Sequence, residues 1–103
     1  MSSERTPPQT CSTMAEVRHG VDQLDEEIVS LIGERFRYMD AAARIKPVRD
    51  AVRDEGRKAQ VLANVAMLAG EHDVPAEAVA ELYERLVEAS IAYELERFDL
   101  TRG

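Results

Sequence analysis

The sequence predicts an all-α protein of three helices, and three observations carry that prediction. Apolar residues recur every third or fourth position through most of the chain, the period of a helix with one buried face. Leu, Val and Ala dominate, with 5% aromatic residues and five glycines, a balance that suits helices better than sheets. No stretch alternates apolar and polar residues as a strand would, and no internal repeat is visible. A length of 103 residues supports one domain. It divides into a flexible tail over residues 1–12, rich in Ser, Thr, Pro and Gln, and a helical domain over residues 13–103.

The first helix is expected from about Met14 to Lys46. Thr13 and Glu16 have the spacing of a capping box, and Pro47 ends the helix because proline disfavours helical geometry in the residue before it. Its apolar seam reads Val17, Val21, Leu24, Ile28, Leu31, Arg35, Tyr38, Ala42, Ile45, with steps of four and three. That is the a/d spacing of a helix lying along a partner helix. Such a helix would be ~50 Å long, against roughly 26 Å for a globule of this size with a radius of gyration of ~13 Å. A second copy of the chain is therefore expected to cover the seam, and a homodimer follows.

A short connection from Pro47 leads to a second helix over about Val52 to Glu71, with Arg57, Val61, Val65 and Leu68 on one stripe. The run from Gly70 to Pro75 is a turn, with Pro75 suited to the first turn of the next helix. The third helix is expected from Ala76 to about Phe98, facing Val79, Leu82, Tyr83, Leu86, Val87, Ser90, Ile91, Glu94, Leu95 and Phe98 inward.

The net charge of −7 disfavours non-specific binding to nucleic acid or an anionic membrane, and no apolar run approaches the ~20 residues needed to span a bilayer. Cys11 is the single cysteine, which excludes an internal disulfide and a cysteine-based zinc site. His19 and His72 lack ligand spacing. No metal and no cofactor is expected, and the setting is read as soluble, reducing and cytoplasmic.

Against this acidic background, cations on inward faces stand out. Arg35 occupies the seam, where an unpaired guanidinium is costly. Lys46 lies about 20° round and about 16 Å further along the same helix, with Ala41, Ala42 and Ala43 leaving room for a small anion. Arg18 points about 100° away from Arg35 and is expected to serve a site in the other subunit. Arg57 opens the stripe of the second helix, with Asp54 just before it. Ser90 and Glu94 interrupt the third. Structural roles are available to each: Arg35 could pair with Glu94, Arg18 with Asp22 or Asp25, Lys46 could complement the helix C-terminus, and Ser90 could be a small packing residue. The coincidence of four cations and a polar pair on inward faces favours an anion pocket.

The segment VRHGVDQLDEEIVSLIGERFRYMDAAARIK resembles the first helix of the all-helical chorismate mutase family, with Arg18, the Asp22–Asp25 stretch, Arg35 and Lys46 in the family's order and spacing. RKAQVLANVAMLAGEHDVP resembles the family's second helix and ELYERLVEASIAYELERF its third. The resemblance implies an intertwined helical homodimer in which Arg35, Lys46 and Arg57 bind the carboxylates and ether oxygen of a small dicarboxylate, with Arg18 arriving from the partner chain. It also implies that Asp54 contacts the substrate hydroxyl and that Ser90 and Glu94 line the pocket. Two positions depart from the common pattern: Lys58 stands where many members have Glu, and Glu94 where many bacterial members have Gln. The loop from Lys46 to Arg57 and the C-terminal TRG also resemble the isochorismate pyruvate lyase branch.

The implied activity is the rearrangement of chorismate to prephenate. It proceeds by restraint of the reactive conformer and by cations aimed at the ether oxygen, with Lys46, Arg35 and a protonated Glu94 as the catalytic groups. The alternatives are isochorismate pyruvate lyase activity, or a non-catalytic helical dimerisation module whose cations are held in ion pairs.

Overall fold

The structure, a computed structural model, describes residues 4–102. Helix α1 spans Met14–Ile45, α2 spans Glu55–Glu71 and α3 spans Ala76–Arg102. Short 3-10 turns occur at Pro8–Thr10 and Arg49–Ala51. The described residues contain no strand, so the all-α expectation holds. The chain forms two compact units, Met1–Arg35 and Phe36–Gly103, and α1 contributes to both.

In the first unit, the start of α1 is fixed by the capping box read from the sequence. Glu16 N donates to Thr13 Oγ1, and the Glu16 carboxylate accepts from the backbone N–H groups of Ser12 and Thr13. These bonds, led by the one from Ser12 N, hold the Glu16 carboxyl below its ordinary range. Residues 4–12 lie against the same helix through Thr6 to Glu16 and an ion pair of Arg5 with Glu27. The seam residues Val17, Val21, Leu24, Ile28 and Leu31 are exposed in the single chain, Leu31 by 64%.

In the second unit, Ala43, Val52, Val87, Ile91 and Phe98 form the core, with Val61, Tyr83 and Leu95 packed against it. Tyr93 closes one side: its ring meets Phe36 edge-on at 5.0 Å and its hydroxyl donates to Asp40 at 2.8 Å. Ala43 is fully buried in this core. Its side chain is taken up by the core and does not hold space open for a ligand, as the sequence reading had it.

Three boundaries and two inward side chains differ from the expectation. Helix α2 starts three residues later, because Val52 is drawn into the core and Asp54 becomes the N-cap, its Oδ1 accepting from Arg57 N at 2.9 Å. Helix α3 continues to Arg102, and α1 ends at Ile45. Leu68 and Leu82 are exposed, whereas Val65 and Ala69 are buried. Val61 and Val65 of the predicted α2 stripe do face the core, and only its C-terminal end differs, with Ala69 inward in place of Leu68. Between α2 and α3 the chain turns through a Schellman motif, with Val74 N donating to Ala69 O and Asp73 N to Gly70 O. Asp73 takes the left-handed position, at φ 56°.

Candidate active site

The C-terminal end of α1 delivers Lys46 to a carboxylate on α3. Its Nζ lies 2.7 Å from Glu94 Oε2 and also reaches Val52 O at 3.4 Å. Glu94 is 4% exposed. Its Oε2 makes the ion pair by distance only and has no hydrogen bond among the described residues. A carboxylate oxygen buried without a hydrogen bond is expensive in a packed protein. The contact with Lys46 offsets the charge and leaves hydrogen-bonding capacity at the oxygen.

One turn earlier on α3, Ser90 is buried and its hydroxyl donates to Leu86 O at 2.7 Å. That bond back into the helix ties the serine hydrogen to the backbone. Lys46 and Glu94 thus meet at the edge of the core of the Phe36–Gly103 unit, with Ser90 one turn before Glu94 on α3. The carboxylate offered to Arg35 in the sequence reading is in contact with Lys46.

Asp54 and Arg57 are brought together at the start of α2, by backbone capping. In the single chain Arg57 is exposed and does not open a buried stripe; its guanidinium donates to Gln60 Oε1 at 2.7 Å. Asp54 also has a structural task that the sequence reading missed. Its signal was present: an acidic residue directly before a helix, a favoured N-cap. Arg18 and Arg35 stand on α1 in the Met1–Arg35 unit, Arg18 exposed and Arg35 half-buried.

Lys58, the departure from the common pattern, points at α3. Its Nζ contacts Glu84 Oε1 and Glu88 Oε2, each at 2.7 Å, and Arg53 joins Glu88 and Glu55. The bond to Glu84, then that to Glu88, raises the Lys58 pKa. Arg53, then Lys58, pulls the Glu88 carboxyl down to about 2. A glutamate at position 58 would face two carboxylates, so lysine here follows from the acidic face of α3.

No helix among the described residues is long and apolar enough to cross a membrane, and no group of three or more His, Cys, Asp or Glu side chains is placed to hold a metal ion.

The profile of the family described as chorismate mutase type II matches residues 17–95. The isochorismate pyruvate lyase of Pseudomonas aeruginosa is 31% identical over 96 residues, an alignment covering 93% of this chain and 95% of that protein. Both matches take in the end of α1, the connection and α3 through Glu94, the segments that bring Lys46 and Glu94 together. The chain therefore belongs to the chorismate mutase type II family.

Proposed function

We propose that the chain is a chorismate mutase, converting chorismate to prephenate. The observation that carries the reading is the contact of half-buried Lys46 with buried Glu94, a carboxylate with one oxygen that still lacks a hydrogen bond. In the rearrangement the ether C–O bond breaks as a C–C bond forms, and no proton need leave the substrate. The protein's task is to hold the compact conformer and to meet the negative charge that grows on the ether oxygen. Lys46 supplies the cation. Glu94, once protonated, donates to the same oxygen, and substrate entry replaces the Lys46–Glu94 contact with two contacts to the ether. Arg57 and Arg35 bind carboxylates with their guanidinium forks, Asp54 uses the oxygen not engaged by Arg57 N for the ring hydroxyl, and Ser90 lines the wall. The roles of Arg35 and Arg18 rest on the sequence pattern of α1.

Arg18 enters from a second copy of the chain. Supporting this, Val21, Leu24, Ile28 and Leu31 expose an apolar seam on the helix that carries Arg18, and a continuous seam at a/d spacing is suited to a partner helix.

A second reading is isochorismate pyruvate lyase activity, which breaks the same ether bond and releases salicylate and pyruvate. It is favoured by the 31% identity to a protein of that name across nearly the whole chain. The test is Lys46→Ala, assayed with both substrates. It should lose orders of magnitude in kcat/KM while its circular dichroism stays helical, and the wild-type protein should gain thermal stability with prephenate or, for the lyase, salicylate. A fully active Lys46→Ala would remove Lys46 from the mechanism, and no stabilisation at saturating ligand would favour the dimerisation module.

A further inference from the structure

The geometry points to Arg102 as a positioning residue for Lys46. Helix α1 stops at Ile45, so its last carbonyls have no partner within the helix. Two of the carbonyls at this end accept from one guanidinium: Arg102 NH1 donates to Ala43 O at 2.8 Å and NH2 to Lys46 O at 2.6 Å. NH1 also donates to Thr101 Oγ1 at 3.1 Å. The guanidinium lies 4.0 Å over the centroid of the Phe98 ring, itself part of the core. The ring sets the plane of the fork, and the positive charge sits where the helix dipole favours it.

The two carbonyls are three residues apart, so the fork fixes the backbone on both sides of the residue where the helix ends. The direction in which the Lys46 side chain departs is set there. On the other side of Lys46, the Arg49 guanidinium makes a two-pronged bond to Asp99, at 2.8 and 3.2 Å. Lys46 is thereby held between two anchors from the last turn of α3, the helix that also presents Glu94. Arg102 lies beyond residues 17–95, the span matched by the family profile. Lysine could not take its place, because an ammonium is a point charge and cannot span both carbonyls in one plane.

The kinetic consequence rests on the proposed function; the structural consequence does not. The chain has two lysines, Lys46 and Lys58, and Lys58 is held elsewhere by Glu84 and Glu88. The relative rate at which an amine-acylating reagent modifies Lys46 and Lys58, read by peptide mass spectrometry, therefore reports Lys46 alone. In full-length Arg102→Ala this ratio should rise severalfold and kcat/KM should fall roughly 10- to 100-fold, mainly through kcat, as for a catalytic group displaced by about 1 Å. Millimolar guanidinium ion should restore part of both. Should Arg102→Ala fail to fold, Arg102→Lys decides by the same ratio, since it keeps the charge but loses the fork. An unchanged ratio in a folded variant overturns the proposal. If the wild type turns over neither substrate, the functional reading fails and the labelling ratio still decides the role of Arg102.

Discussion

Removing the Lys46 ammonium while leaving the Glu94 carboxylate in place perturbs stability at the point where the site meets the core. Lys46→Met keeps most of the apolar stem and deletes the charge. Glu94 is 4% exposed and its Oε2 has no hydrogen bond to fall back on. Stripping one partner from a fully buried pair costs about 3–5 kcal/mol. The Lys46 side chain is 29% exposed, so solvent already screens part of this contact, and roughly 2 kcal/mol is the expected loss. For a domain of this size that lowers Tm by about 8–16 °C, taking about 4–8 °C per kcal/mol. The assay is thermal unfolding by circular dichroism at one fixed protein concentration, on the wild type, Lys46→Met, Glu94→Leu and the double variant. The double variant should be more stable than Lys46→Met, with a coupling of about 1–2 kcal/mol, because it no longer buries an unpaired charge. A Lys46→Met protein melting within about 2 °C of the wild type, or a cycle with no coupling, would refute the reasoning.

Other consequences follow from the same geometry. Asp73→Gly should raise stability by about 0.5–1 kcal/mol, since glycine meets the left-handed position of the Schellman motif without the Cβ penalty; a lower Tm would count against it. Arg53, then Lys58, holds the Glu88 carboxyl down at about 2, below its ordinary value near 4.5. Its stabilising contribution is therefore fully present above about 4.5 and is lost as pH falls through about 2. Tm should decline across that window, and Glu88→Gln should flatten the decline. Ile28→Asp should convert a dimer to monomer in sedimentation measurements, because it places a charge in the seam of α1; a dimer unaffected by it would mean that the seam is covered otherwise. Glu94→Gln should keep much more of kcat/KM than Glu94→Leu, since an amide can donate to the ether oxygen and an alkyl chain cannot, and equal activity of the two variants would remove Glu94 from the donor role.

The long-range order of the fold was legible because it is periodic. The three helices, the capping box at Thr13–Glu16 and the stop at Pro47 all depend on residues close in sequence. The pairing of Lys46 with Glu94 was legible in part. Both stood out as charges on apolar faces, but Glu94 had been offered to Arg35 as well, and spacing along one helix does not choose among partners on another. What escaped was set by tertiary packing. Val52 was read as the start of a helix because it is apolar, whereas its burial bends the connection and moves the N-cap to Asp54. Leu68 and Leu82 were read as inward because they are leucines on a stripe; the core takes their neighbours Ala69 and Val87 and leaves both exposed. The role of Arg102 depends on where the end of α1 falls relative to the end of α3, a relation that no local pattern encodes.

The most direct test of the central claim is to incubate the purified chain with chorismate and, separately, with isochorismate, and to identify the products by proton NMR. The proposed function predicts prephenate from chorismate, formed by the wild type and lost in Lys46→Ala. Salicylate and pyruvate from isochorismate, with chorismate left unchanged, would transfer the same site to the lyase reaction. Recovery of both substrates intact would contradict the account.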